Sequence, residues 1–204
     1  LGPTFSNSAV EADPVANQKR TPVLAVSNTG PGIVGDCDYP CEFIFRDSLG
    51  EATAIPANVG NLVSRQATGN AWVIYPAGDT FGKTSAETAA AAFRDRNWTA
   101  RVSAIPAGGI SGMRADFKDA IMITASSGET GASYVTTLRD TFDYEGPILG
   151  GNAFNSPLAA RSLGKTGNGV QSASAWYAGN SSDENQEFIA AYRTKYGESP
   201  DQFA

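Results

Sequence analysis

The chain has 204 residues, 41% hydrophobic and 18% charged, which suits one large or two small globular units. Fifteen Lys and Arg against 21 Asp and Glu leave a formal net charge of −6, which argues against nucleic acid or an anionic membrane surface as the main partner. There is no His, so the common Ser-His-Asp and Cys-His catalytic arrangements are excluded.

Taken in order, Gly2 to Gly30 reads as a Ser-rich turn opening a helix, a break before Pro22, a buried strand Pro22 to Ser27, and the polar loop Ser27-Asn28-Thr29. Ser6 is expected to cap the helix, leaving hydroxyls and backbone N–H groups at a positive helix end where a carboxylate would sit well. The loop after Ser27 lies at the carboxyl end of a strand, where open α/β sheets bind ligands.

Cys37 and Cys41 are the only cysteines. A zinc site would lack ligands, since structural zinc takes four N or S donors. A disulfide in this small loop is the preferred reading over two free thiols, and it would imply an oxidising, exported setting. Phe43 to Phe45 reads as a short strand. Asp47-Ser48 reads as the cap of a helix from about Leu49 to Gln66, which Pro56 should kink or divide.

From there strand and helix alternate. Strands are expected over Ala71–Tyr75, Thr99–Ala104, Asp119–Thr124, Pro147–Gly150 and Gln171–Tyr177. Helices are expected over Thr84–Asn97, Glu129–Phe142 and a short piece from Asn155-Ser156-Pro157 to Leu163. Between Ile105 and Lys118 there is room for one or two helical turns only. A capping box at Ser181-x-x-Glu184 opens a last helix whose apolar face is Phe188, Ile189, Tyr192 and Tyr196, ending at Gly197. This alternation argues for a parallel sheet covered on both faces.

Two Gly-Lys-Thr sequences fail as phosphate-binding loops, because the first glycine position holds Ala77 in one and Ala159 in the other. No serine sits in a G-x-S-x-G elbow, and acidic pairs such as Asp183 with Glu184 fall at helix ends, where they complement the dipole.

The ordered set is more specific than any one motif. Gly2-Pro3, Ser6-x-Ser8 opening a helix, a Pro-led strand, Ser27-x-Thr29, Phe45-Arg46-Asp47, Val73-Ile74-Tyr75 before Gly78-Asp79-Thr80-Phe81-Gly82, Asp119 to Ile123, and Phe188 through Tyr196-Gly197 resemble the type I periplasmic binding proteins of branched-chain amino acid ABC transporters. The resemblance implies an α/β fold of two doubly wound parallel-sheet lobes joined by a hinge. Lobe one would comprise residues 1–47 and 176–204, and lobe two residues 48–175. It also implies that the chain is the middle of a longer protein, with lobe one incomplete and the isolated polypeptide marginally stable. A full helix normally present between the equivalents of Phe117 and Lys118 would be missing.

By the same resemblance the protein is a non-enzymatic, monomeric receptor, periplasmic or extracellular and in some forms lipid-anchored. It would pass a small amino acid-like or carboxylate solute to an ABC permease without metal or cofactor. A ligand-sensing domain of a regulator, binding a small amide or aromatic acid, is the alternative. Ser6, Ser27 and Thr29 of lobe one would hold the carboxylate, with Asn28 beside them as a further ligand-binding residue. Phe81, Ser127, Gly128 and Asn152 of lobe two would complete the pocket, with Trp176 either at the hinge or cleft floor or in a plain core role. Amino acid-binding members carry an acid where this chain has Asn152, and often a tyrosine near Ala125 to Gly128. Both departures argue against a standard branched-chain amino acid.

Overall fold

The computed structural model describes residues 1–35, 37, 39–66, 68–112 and 118–202. In chain order the elements are α1 (Ser6–Gln18), β1 (Val23–Ala25), β2 (Ile44–Arg46), α2 (Glu51–Val63), β3 (Asn70–Pro76), α3 (Thr80–Arg94), β4 (Thr99–Ile105), β5 (Ala120–Ile123), α4 (Gly128–Phe142), β6 (Ile148–Gly150), α5 (Pro157–Leu163), β7 (Val170–Ser172) and α6 (Asp183–Tyr196).

Among the described residues these strands form two parallel sheets. β1 pairs with β2, and the larger sheet has the order β4-β3-β5-β6-β7 with every neighbouring pair parallel. Its central strands are apolar on both faces: Ala71 to Ile74 and Ala120 to Ile123 are all buried, as a parallel sheet between helices requires. One face packs Val73, Met122 and Leu149 against Val59 of α2 and Phe93 of α3. The other packs Ile74, Ile121, Ile123 and Ile148 against Val135 and Leu138 of α4.

From β3 the chain goes outward to β4 and then back across to β5, so the strand order reverses between β3 and β5. Such a reversal leaves a crevice beyond the strands' carboxyl ends. Register sets Ile74, Ile123 and Gly150 level with one another, so the residues after β3, β5 and β6 reach the same crevice.

Several expected boundaries shift for identifiable reasons. Ser6 is not a cap: Phe5 holds that position, and Ser6 Oγ accepts instead from Gly30 N at 3.0 Å. Asp47-Ser48 does not cap α2 either; Gly50 holds that position, and Ser48 Oγ donates to the Asn28 carbonyl at 2.9 Å. Pro56 does not divide α2, which runs unbroken to Val63 because Ile55, Val59 and Leu62 bury one face. That burial outweighs the single backbone bond that proline removes. α3 starts at Thr80 rather than Thr84, since the Asp79 carboxylate accepts from Gly82 N and caps the helix. Ser182, not Ser181, caps α6, its Oγ accepting from Asn185 N at 3.3 Å.

The last strand stops at Ser172, so Trp176 and Tyr177 lie beyond it rather than within it. Among the described residues of the Ile105–Lys118 crossover, Ile110–Gly112 form a 3₁₀ turn, while the expectation concerning Phe117 lies outside the described residues. Cys37 and Cys41 form a disulfide.

The small sheet is covered less fully than the large one. Leu24 and Phe45 are register partners on β1 and β2, yet they are 39% and 52% exposed, and Val10 and Val15 of α1 are also exposed. A parallel pair of strands is rarely left open in this way.

Candidate ligand-binding site

A cavity of about 320 Å³ opens at the carboxyl ends of β1, β3, β5 and β6. One wall is the turn Thr4-Phe5-Ser6 together with Ser27, Asn28 and Thr29; the facing wall is Phe81, Ser126 to Glu129, Asn152, Ala153 and Ser156. Eight of the nine ligand-binding residues expected from the sequence line it. The ninth, Trp176, does not: its Nε1 donates to Asn185 Oδ1 at 2.6 Å and its ring meets Phe188 edge-on, which places it against α6.

The first wall is braced by its own polar groups. Ser27 Oγ donates to the Thr4 carbonyl at 3.2 Å and Asn28 Nδ2 to the Pro3 carbonyl at 2.8 Å, tying the loop after β1 to the turn before α1. Gly30 is held from both sides, its N–H by Ser6 Oγ and its carbonyl by Arg46 Nη2 at 2.8 Å. Burial raises the carboxyl pKa of nearby Asp13, and the Arg46 guanidinium partly opposes that rise. Thr29, only 4% exposed, has no hydrogen bond from its hydroxyl among the described residues and so can serve a ligand. The Ser8 N–H already donates to the Phe5 carbonyl at 3.1 Å, so the Ser6 and Asn7 N–H groups are the ones that open α1 without an intrahelical acceptor, at the positive end of the helix dipole.

The second wall is organised by Asp79, which sequence reasoning placed in a motif but not in the site. Its Oδ1 accepts from Gly82 N at 3.0 Å and from Asn7 Nδ2 at 3.2 Å, and its Oδ2 accepts from Ser126 N at 2.7 Å. Phe81 is therefore in the first turn of α3, 7% exposed, with its ring in the wall. Gly128 opens α4, capped by Ser127. A Cβ at Gly128 would come within 2.6 Å of the Ala153 carbonyl, so only glycine allows this close approach of α4 to the 3₁₀ turn Asn152–Asn155.

Asn152 is fixed by groups far from it in sequence. Its N–H donates to Glu51 Oε1, and its side-chain oxygen accepts from Gln202 Nε2 at 2.9 Å, which leaves its amide NH₂ as a donor for the cavity. Glu51 is 1% exposed; burial raises its pKa, against which the Asn152 N–H and the Ser85 hydroxyl act in the opposite direction.

Among the lining residues Glu129 is the sole ionisable side chain, held by Ser127 Oγ donating to its Oε2 at 3.0 Å. Sequence reasoning missed it, because an acid in a helix's first turn reads as a dipole partner. The cavity thus offers hydroxyls, the Asn152 amide and the N-terminus of α1 to an anionic group, an aromatic wall to an apolar one, and one carboxylate to a cationic one.

The family model described as periplasmic binding protein matches residues 1–204. A search of curated protein sequences finds no match. Among solved structures the chain is similar to a leucine-binding protein of Thermotoga maritima, with a TM-score of 0.81 at 14% identity over 99% of this chain and 58% of that one. It is also similar to a branched-chain amino acid transporter substrate-binding protein of Streptococcus pneumoniae in complex with isoleucine, with a TM-score of 0.75 at 20% identity over 99% and 58%. A third is an ABC transporter solute-binding protein of Rhodopseudomonas palustris in complex with 3,4-dihydroxybenzoic acid, with a TM-score of 0.72 at 18% identity over 98% and 55%. The chain therefore spans just over half the length of these proteins. Its mixed α/β architecture with parallel sheets is that of the type I periplasmic binding proteins, and on the match across all 204 residues the chain belongs to the periplasmic binding protein family.

Proposed function

We propose that this chain forms the ligand-binding cleft of an extracytoplasmic solute receptor that serves an ABC importer. The receptor binds a small carboxylate-bearing solute between two lobes and presents the closed form to the permease. The observation that carries this reading is the cavity itself. The α1 terminus and the Thr29 hydroxyl face Phe81, the α4 terminus and the Asn152 amide across a space of small-ligand size. In this reading residues 1–47 and 176–204 belong to one lobe and 48–175 to the other. The carboxylate lies on Thr29 and the α1 N–H groups, while Ser6, Ser27 and Asn28 keep that wall in shape.

The test is a thermal-shift screen of the intact protein against L-leucine, L-isoleucine, 3,4-dihydroxybenzoate and small amides. A ligand at 100 times its Kd adds about 2.7 kcal/mol. One class should shift the parent protein. Thr29→Ala should weaken that ligand about tenfold, since it deletes a hydrogen bond to a charged group worth about 1.5 kcal/mol. Ser6→Ala should weaken it through the freed Gly30 N–H. If no compound shifts the parent, or if the shift survives both substitutions undiminished, the reading fails.

Glu129 gives a second, sharper prediction about ligand class. Glu129→Gln should weaken ligands that carry an ammonium about 2- to 5-fold, the worth of a solvent-accessible ion pair. It should leave simple carboxylates unchanged. Titration calorimetry with a matched pair, an amino acid and its deaminated analogue, reads the difference. Equal losses for both would remove Glu129 from ligand recognition.

A further inference from the structure

We infer that Asn7 is a positioning residue that holds the two walls of the cavity at their closed spacing, acting through Asp79 and the Phe81 backbone. The inference rests on the receptor reading for its consequence on affinity, but not for the contact itself.

Asn7 lies in the first turn of α1, immediately after Ser6, and its side chain reaches across to the first turn of α3. Its Nδ2 donates to Asp79 Oδ1 at 3.2 Å, and its Oδ1 accepts from Phe81 N at 2.8 Å. These partners are 72 and 74 residues away along the chain. Both ends of one planar amide are thus engaged, which fixes the orientation of the two helix starts as well as their distance. The Asp79 carboxylate passes the constraint on, because its Oδ2 holds Ser126 N at 2.7 Å. Ser6 of one wall and Phe81 and Ser126 of the other all line the cavity, and Asn7 connects them: it adjoins Ser6, accepts from the Phe81 N–H and reaches Ser126 through Asp79. Gln202 donating to Asn152 Oδ1 at 2.9 Å makes a comparable bridge from the C-terminal segment, and α1 and α3 make direct contact besides.

If the walls separate by hinge motion, the bonds of Asn7 must break. Their loss lowers the closed fraction, and apparent Kd rises in inverse proportion to that fraction. A protein whose closed population falls to a tenth therefore binds ten times more weakly with every ligand contact intact.

The experiment uses the intact protein with spin labels at Glu11→Cys on α1 and Lys83→Cys on α3, both exposed charged positions. The chain's two native cysteines are tied in the Cys37–Cys41 disulfide. Pulsed electron-electron resonance without ligand should give one narrow distance distribution for the parent. Asn7→Asp keeps the acceptor for Phe81 N but sets a carboxylate against Asp79, and it should move the distribution to longer distances. Asn7→Ala should do so to a lesser degree.

In both variants Kd for L-leucine and 3,4-dihydroxybenzoate, whichever binds the parent, should rise about 5- to 10-fold, while the far-UV circular dichroism matches the parent. A merely structural role would lower the melting temperature without lengthening the distance. Unchanged distances and affinities in both variants would overturn the inference and leave the receptor reading standing. Longer distances in a protein that binds neither probe would support the positioning role and count against the receptor reading.

Discussion

Asp79→Ala should lower the stability of the protein by about 3 kcal/mol and its melting temperature by about 6–12 °C, and it should abolish detectable ligand binding. Three donors converge on this carboxylate, and alanine strands all of them. Loss of the cap at Gly82 N costs about 1 kcal/mol. The Ser126 N–H and the Asn7 amide are then left facing a space in a site where Asp79 is 9% exposed, each at about 1 kcal/mol or more. Binding is affected more than stability suggests, because Phe81 and Ser126 lose their common reference and both line the cavity.

Asp79→Asn separates the contributions. It keeps an acceptor for Gly82 N but turns an NH₂ group toward the Ser126 N–H, so the cap survives and the loop does not. Its stability should fall between those of the parent and Asp79→Ala. Combined with Asn7→Ala, Asp79→Ala should be clearly less than additive, since both remove the same bond. A denaturant titration that places Asp79→Ala within about 0.5 kcal/mol of the parent would mean that water replaces the carboxylate at no cost, and the organising role would be lost.

The fold was legible where burial is local in sequence. β3 and β5 are continuous apolar runs bounded by polar residues, and the helices α2, α3 and α4 around them carry their own apolar stripes, so the alternation and the parallel sheet follow from one pass along the chain. The start of α3 was not legible in the same way, because Thr80-Phe81-Gly82 resembles a turn and only the Asp79 cap makes it helix. Ser6 opens a helix as a serine in that pattern suggests, but its hydroxyl does not cap it. Its hydroxyl goes to Gly30, a contact fixed by how β1 lies beside α1.

The cavity residues on strand ends could be named because topology alone sends those ends to a crevice. Asn7, Glu51 and Gln202 could not, since each acts on a partner brought near only by the finished fold; Glu51 and Asn152 are 101 residues apart. Trp176 lies off the cavity because the last strand ends at Ser172, four residues before it, and its indole turns to α6.

Glu51→Gln should stabilise the protein at pH 7 and lose that advantage as pH falls toward 4. Glu51 is buried at the start of α2, with Oε1 accepting from Asn152 N. Its Oε2 has no hydrogen-bond partner in good geometry among the described residues, and neither does the buried Ser85 hydroxyl. Burial raises its pKa above the ordinary 4.5, more than the Asn152 N–H and Ser85 lower it. The folded state therefore holds this proton more tightly than the unfolded state, so the slope of unfolding free energy against pH is negative across the interval between the two pKa values. Below about pH 4 both states are protonated and the carboxyl resembles an amide. Above the folded pKa the full cost of an under-satisfied buried charge is present, about 1–3 kcal/mol. A first-turn acid gains about 0.3–1 kcal/mol from the helix dipole, which burial outweighs. Glutamine keeps the acceptor for Asn152 N and offers an NH₂ toward the Ser85 hydroxyl. The net gain at pH 7 should be about 1 kcal/mol, or about 2–4 °C in melting temperature. Asp13, whose pKa is also raised, contributes equally to both proteins and cancels in the difference. Melting curves of the pair at half-unit steps from pH 4 to 8 read the effect; a destabilised variant at pH 7, or a difference that does not shrink on acidification, would show that Glu51 holds Asn152 as a well-paired anion.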